Sequence, residues 1–305
     1  MTTKPRVVVF GYHEVGYRCL EWLHDQGTDV AALYTHEDDP HEHLWFRSIK
    51  DLAVRRGIPV YTPSSVREGA ILEAIRAARP DVIYSFYYRH MLPAPILAIP
   101  ARGAYNMHGS LLPRYRGRVP INWAIINGER ETGATLHHMV ARADAGDIVD
   151  QERCPIGPED TARDVFLKVT DAAVRVLARS HDAIIAGCAG RTPQDERLAT
   201  TFGARRPEDG RIAWDQDGTA IFNFVRALTD PYPGAFSELR GERFVIWWGR
   251  PVSLAPGAPS RPGQVLSVDP LVIGTRDGGF RVDRLTWIAG DRVAHDRFLP
   301  GEFVS

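Results

Sequence analysis

The sequence predicts an α/β protein: a Rossmann-like, mostly parallel sheet with helices on both faces, plus a small C-terminal OB-like β-barrel domain. Three observations carry this. The first two-thirds of the chain alternates β-branched runs with helix-patterned runs, the βαβ rhythm of a parallel sheet. Gly190–Arg206 is then polar and irregular. Beyond it come short strand-like runs separated by Gly and Pro, as in a small barrel. At 305 residues the chain is long for a single core. The expected organisation is residues 1–189 as the α/β domain, 190–206 as a linker and 207–305 as the barrel.

Taken in order, Arg6–Phe10 is a β-branched strand, and Val15–Gln26 is a helix patterned through Val15, Cys19, Leu20 and Leu23. Asp29–Thr35 reads as a strand, Leu44–Arg56 as a helix stopped by Gly57, and Pro59–Tyr61 as a short strand. Arg67–Arg79 is expected helical, with strands at Val82–Phe86, Ala104–His108 and Ala134–Met139 and a helix at Pro120–Asn127. Thr161–Ala186 reads as one long helix. Thr161 and Asp164 form an N-terminal cap pair, Gly187 gives the stop, and Val165, Val169, Ala173, Val176 and Leu177 form an apolar stripe. In the last third, a short helix (Thr219–Ala227) and the turn Asp230-Pro231-Tyr232-Pro233-Gly234 precede strands at Phe244–Trp248, Gly263–Val268, Leu271–Thr275 and Phe280–Leu285.

Composition narrows the function classes. Hydrophobic residues make up 44% and charged residues 25%, as in soluble globular proteins. No apolar run reaches the roughly 18 residues a membrane span needs, so no membrane insertion is expected. The first strand begins too early to leave room for a signal peptide. A net charge of −1 gives no footprint for nucleic acid. Cys19, Cys154 and Cys188 are odd in number and lack C-x-x-C spacing, which fits a reducing cytoplasm rather than a disulfide framework. The sequence does not set an oligomeric state.

Three polar residues stand out. Asn106 and His108 lie in Asn106-Met107-His108-Gly109-Ser110-Leu111-Leu112-Pro113, where a period of two puts both side chains on one side of an extended segment. Asp144 follows the next strand, in Arg142-Ala143-Asp144-Ala145-Gly146-Asp147. All three fall where strands of such a sheet end, the edge at which α/β folds bind ligands. An amide there could hold an oxyanion, an imidazole could move protons, and a carboxylate could orient the imidazole and favour its charged form. Each taken singly could equally be an ordinary hydrogen-bonded polar residue.

Other segments have plainer readings. Gly11-Tyr12-His13-Glu14-Val15-Gly16 sits where a phosphate-binding turn would, but lacks G-x-G-x-x-G spacing; a tight strand-to-helix turn explains the glycine. His36-Glu37-Asp38-Asp39-Pro40-His41-Glu42-His43 fits no zinc spacing and reads as a solvated loop near a polar substrate, so no metal is expected. Ser85-Phe86-Tyr87-Tyr88-Arg89-His90-Met91-Leu92 is either a packed strand end or a wall for a flat ligand. Arg114, Arg116 and Arg118 form either a solvated basic loop or an anion-binding group beside Asn106 and His108.

The wording around these residues is specific. Asn106-x-His108-x-Ser110-Leu111-Leu112-Pro113-x-Tyr115-Arg116-Gly117, followed by Ala143-Asp144-Ala145-Gly146-Asp147-Ile148-Val149, resembles the 10-formyltetrahydrofolate-dependent formyltransferases. These include methionyl-tRNA, glycinamide ribonucleotide and sugar N-formyltransferases. Within the family, Tyr34-Thr35-His36, Arg56-Gly57-Ile58-Pro59-Val60-Tyr61, Tyr87-Tyr88-Arg89-His90 and Phe202-Gly203-x-Arg205-Arg206 are most similar to the formyltransferase half of the bifunctional polymyxin-resistance enzyme.

The resemblance implies transfer of a formyl group from the co-substrate 10-formyltetrahydrofolate to the 4-amino group of a nucleotide-linked aminosugar. UDP-4-amino-4-deoxy-L-arabinose, used in lipid A modification, is the first expectation. By resemblance Asn106, His108 and Asp144 are catalytic. Folate would lie against His90, Met91 and Leu92 and the Val140, Ala141, Arg142, Ala143 and Asp144 loop, with Arg118 helping to hold it. The resemblance also implies a chain that is either free-standing or one domain of a longer enzyme. The alternatives are a methionyl-tRNA formyltransferase, disfavoured by the near-neutral charge, and a non-catalytic folate- or sugar-nucleotide-binding module, disfavoured by the intact trio.

Overall fold

A computed structural model of the chain describes residues 4–40, 43–255, 260–288 and 297–305. The chain forms two compact units. One comprises the residues up to Pro120 with Glu131–Pro155 and Phe166–Gly203; the other comprises Ile121–Arg130, Ile156–Val165 and Ala204–Ser305. Each unit thus draws on several stretches of chain rather than one, so no single cut in the sequence separates them.

The first unit is built on seven strands: β1 (Arg6–Gly11), β2 (Asp29–Tyr34), β3 (Val60–Tyr61), β4 (Val82–Phe86), β5 (Ala104–His108), β7 (Glu131–His138) and β8 (Ile148–Pro155). A two-residue strand, β6 (Arg116–Gly117), stands apart from them and pairs in parallel with β9 (Thr201–Phe202). The large sheet runs β3-β2-β1-β4-β5-β7-β8. Its first five members pair in parallel, and β7 and β8 are antiparallel. The sheet is therefore mostly parallel, as expected. Val7, Val8, Val9 and Phe10 are all fully buried, the unbroken apolar run of a strand covered on both faces. The strand order reverses on either side of β1, which makes the carboxyl ends of β1 and β4 the switch point of the sheet.

Its helices include α1 (His13–Asp25), α2 (Ile49–Arg55), α3 (Gly69–Ala78) and α4 (Ala94–Leu97). α1 buries Val15, Cys19, Leu20 and Leu23, the stripe read from the sequence. α2 begins five residues later than the pattern suggested. The Ser48 hydroxyl accepts from the Asp51 amide and caps the helix there. Before it, Phe46 stacks on the His13 ring at 3.8 Å, so tertiary packing overrides the helical pattern of residues 44–48. β8 went unread because Asp150-Gln151-Glu152-Arg153 is polar, which suits an edge strand.

α5 (Pro120–Ile126) and α6 (Ala162–Ile185) follow in the chain. The α6 cap is the expected reciprocal pair. The Thr161 amide donates to Asp164 Oδ2 at 2.9 Å, and the Asp164 amide donates back to Thr161 Oγ1 at 3.3 Å.

The second unit packs α7 (Gly218–Leu228) with an antiparallel sheet of β10 (Ala235–Leu239), β11 (Glu242–Val252), β12 (Val265–Val268), β13 (Leu271–Gly274) and β14 (Gly279–Trp287), in the order β10-β11-β14-β13-β12. Ile221, Val225, Phe244, Ile273, Phe280 and Leu285 are at the heart of its core. Glu302–Ser305 bridges the two edge strands. On the β12 side the Val265 amide donates to the Glu302 carbonyl and the Val304 amide to the Gly263 carbonyl; on the β10 side Ser305 and Glu238 exchange two backbone bonds at 2.9 Å. This bridging gives the sheet its barrel-like closure. Among the described residues, no helix is long and apolar enough to cross a membrane.

Candidate active site

β5 and β7 build the floor of the site. In their antiparallel register Asn106 faces His137 and His108 faces Thr135. Directly opposed residues stand close enough for their side chains to interact. Nδ2 of Asn106 lies 3.1 Å from Nε2 of His137. Thr135 is fully buried and ties down the turn after β5: its hydroxyl donates to the Ser110 carbonyl at 2.6 Å and accepts from the Leu112 amide at 3.2 Å. The chain then rises to Tyr115, whose carbonyl accepts from His108 Nε2 at 2.7 Å. A carbonyl only accepts, so Nε2 of His108 carries a hydrogen and Nδ1 is left to face Asp144.

Asp144 sits on the loop between β7 and β8, at φ 52°, a left-handed conformation that Asp tolerates better than most residues. Its Oδ1 is 3.6 Å from His108 Nδ1, 3.5 Å from His137 Nε2 and 3.4 Å from Asn106 Nδ2. Its Oδ2 accepts the Gly117 amide at 2.9 Å. A Cβ on Gly117, at φ 96°, would stand 2.2 Å from the Phe202 carbonyl oxygen, so only glycine brings the backbone this close. Burial pushes the Asp144 carboxyl upward. The His108 charge, first among the opposing causes, and the Gly117 amide outweigh it and hold the group well below the usual carboxylate range. Asp144 is therefore an anion throughout the working pH range.

The structure thus brings Asn106, His108 and Asp144 together. It adds His137, which sequence reasoning passed over although its place in the strand at Ala134–Met139 was read. Alternation along β7 puts Thr135 and His137 on one face, but only the register with β5 reveals what that face meets.

The remaining candidate residues separate. Val140, Ala141, Arg142 and Ala143 are exposed on the loop before Asp144, and Arg142 pairs with Glu196 at 3.1 Å. His90 and Met91 are exposed, with the His90 ring stacked on His36 at 4.9 Å. The Leu92 side chain is only 2% exposed and belongs to the apolar core with Val8, Phe10 and Ile83, so it cannot present itself to a ligand. Arg118 is exposed, and its Nη2 reaches the Arg89 carbonyl at 3.4 Å. Arg116 is no surface anion receptor: it is 2% exposed, and its guanidinium is spent on Gln194 and Glu196.

The aromatic segment after β4 is mainly a packed strand end. Tyr88 meets Phe10 edge-on at 5.2 Å and stacks on His36 at 4.3 Å, and the Arg89 guanidinium lies over Tyr12 at 4.6 Å. Burial, reinforced by the His90 and Arg89 charges, lowers the His36 pKa to about 4. Burial followed by the Arg89 charge lowers that of His13 to about 3. In the loop after β2, His41 and Glu42 lie outside the described residues. Among the described residues, no group of three or more His, Cys, Asp or Glu side chains is placed to hold a metal ion.

An anionic carboxylate beside two imidazoles and an amide, gathered over β5 and the antiparallel strand β7, is chemistry for passing an acyl unit between nucleophiles. Comparison with known families narrows that class. Residues 5–180 match the formyl transferase family and residues 205–302 match its C-terminal domain. The chain belongs to the formyl transferase family.

Solved structures share the fold. WlaRD, a sugar 3N-formyl transferase solved in the presence of dTDP and 5-N-formyl-THF, superposes with a TM-score of 0.70 at 18% identity, over 95% of this chain and 100% of that one. The N-formyltransferase from Helicobacter canadensis, in complex with folinic acid and dTDP-3-aminofucose, gives 0.68 at 19% identity over 92% and 100%. HypX from Aquifex aeolicus, in complex with tetrahydrofolic acid, gives 0.64 at 22% identity; 94% of this chain is covered but only 45% of HypX, so the chain spans less than half of that protein.

Proposed function

We propose that the protein transfers a formyl group from 10-formyltetrahydrofolate to the 4-amino group of a nucleotide-linked aminosugar, with UDP-4-amino-4-deoxy-L-arabinose as first candidate. That sugar would place the enzyme in lipid A modification and polymyxin resistance. The observation that carries the reading is the convergence of His108, His137 and Asn106 on the single carboxylate oxygen Asp144 Oδ1, within 3.6 Å. Family membership and the whole-length likeness to two sugar N-formyltransferases support it.

In this mechanism a neutral sugar amine attacks the formyl carbon. The carbonyl oxygen becomes an oxyanion, and the amine nitrogen becomes acidic as it bonds. Asp144 stays ionised beside His108 throughout; His108 stabilises the oxyanion and gives a proton to the departing folate nitrogen, and the acidic N–H of the newly bonded amine gives one back to it. His108 Nε2 rests on the Tyr115 carbonyl at 2.7 Å, so proton delivery requires it to exchange that carbonyl for the reacting group. The exposed His90, Met91 and Val140–Ala143 surfaces, with Arg118, are the assigned folate contacts.

The test is a panel of UDP- and dTDP-linked aminosugars incubated with 10-formyltetrahydrofolate and read by mass for the addition of one formyl group. Formylation of the arabinose substrate above all others is expected. No formylation of any aminosugar nucleotide would overturn the reading.

A further inference from the structure

We propose that Gln194 is a positioning residue for Asp144, a clamp that fastens the Asp144 loop to the buried guanidinium of Arg116. The inference rests on the formyl-transfer reading above and extends it to a segment, Gly190–Arg206, expected only to connect.

All the hydrogen-bonding capacity of the Gln194 side chain is used. Its Nε2 donates to the carbonyl of Asp144 at 2.8 Å and to that of Gly146 at 2.7 Å. Its Oε1 accepts from Arg116 Nε at 3.1 Å and from Nη2 at 2.7 Å. The amide has only this orientation, because the reverse would set its oxygen against two carbonyls and its hydrogens against a guanidinium. Both ends are anchored. Arg116 is 2% exposed and also bonded to Glu196. Two residues before Gln194, Thr192 exchanges a pair of backbone bonds with Ile148, at 2.8 and 2.9 Å.

The clamp bears on the catalytic carboxylate from behind. It grips the carbonyls on either side of Ala145, and so holds Asp144 in its left-handed conformation. The Gly117 amide, next in the chain after Arg116, takes Oδ2. One dipeptide of β6 thus fixes the loop through Gln194 and the carboxylate directly. What remains, Oδ1, faces His108 of β5, His137 of β7 and Asn106 at 3.4–3.6 Å. The Asn106 bond, at 3.4 Å, lies at the outer limit for hydrogen bonds, so a small movement of the loop decides whether it forms and how closely the carboxylate faces the two imidazoles. Gln194 bonds to none of these groups and acts only through Asp144.

Two variants test the clamp. Gln194→Leu removes every bond. Gln194→Glu keeps an acceptor for Arg116, leaves the buried cation paired, and loses both donors to the loop. Both should lower kcat by about a hundredfold, the cost of a misplaced catalytic group, with KM for the aminosugar nucleotide nearly unchanged. A readout independent of turnover is the carboxyl-carbon NMR titration of Asp144, assigned by its loss in Asp144→Asn. In the parent it should titrate far below ordinary aspartates, and in both variants it should move up towards them. If the Leu variant does not fold, the Glu variant carries the test alone. Parental kcat in the variants, or a lowered kcat with an unmoved Asp144 titration, overturns the proposal. If the parent formylates nothing in the panel, the formyl-transfer reading has failed, and the Asp144 titration alone decides the clamp.

Discussion

The Asn106 amide points inward: its Nδ2 lies 3.1 Å from His137 Nε2 and 3.4 Å from Asp144 Oδ1. His137 Nδ1 reaches its neighbour's carbonyl, on His138, at 2.9 Å and must donate there. In the neutral ring Nε2 is then a pure acceptor. His137 therefore sets which way the amide faces. Replacing His137 by Phe should lower kcat by up to about a hundredfold through loss of that orientation. His137→Gln, whose side-chain oxygen can accept the same hydrogen, should keep most of the activity. Steady-state kinetics on one aminosugar nucleotide checks this; equal rates in both variants would show that the amide is held by other means.

Asp144→Asn should cost roughly a hundredfold or more in kcat, because a neutral amide replaces the negative charge that stands 3.6 Å from the His108 ring. The substitution also has a signature in stability. The folded carboxyl titrates below its unfolded value, so the unfolded chain binds the proton first as pH falls. The contribution of Asp144 is complete above the ordinary carboxylate range and disappears on acidification below it. Urea melts across pH 3–7 should show a shallower acid loss in Asp144→Asn than in the parent; parallel curves would contradict the ionic anchoring.

Gly146→Ala should damage activity more than stability. A Cβ at this position would stand 1.8 Å from the His138 carbonyl oxygen, closer than any backbone tolerates, so the loop carrying Asp144 must move. The expected result is a loss of turnover of about a hundredfold in a chain whose far-ultraviolet circular dichroism matches the parent. Full activity would mean that the loop conformation is not the active one.

His13 and His36 predict acid sensitivity of a different origin. Both are held neutral by burial, with pKa values lowered from 6.5 to about 3 and about 4. Below pH 6.5 the unfolded chain gains these protons and the folded one does not, so stability falls with pH down towards 4. His13→Phe, which can keep the stack on Phe46, should flatten part of that fall. Comparing melting temperatures of parent and variant at pH 7 and pH 5 measures it; an unchanged difference between the two pH values would rule His13 out.

Much of the α/β unit was legible because its strands are apolar runs and its helices carry regular stripes, as β1 and α1 do. Asn106, His108 and Asp144 were legible from spacing and wording. His137 was not, because an alternating strand does not announce its neighbour's register. Gln194 was not, because an irregular polar stretch carries no period to mark which residue turns inward. Leu92 misled in the opposite sense: it adjoins exposed residues, yet packs with Phe10 beneath them.

β5 carries one further consequence. Asn106 and His108 share a face, while Tyr105 and Met107, which alternate with them, are buried. Adding one residue ahead of Tyr105 would exchange the two faces, and the Tyr105 and Met107 side chains would then stand where the amide and imidazole were. A substitution beside the strand leaves this alternation intact, whereas an inserted residue within it would break up the cluster at a stroke.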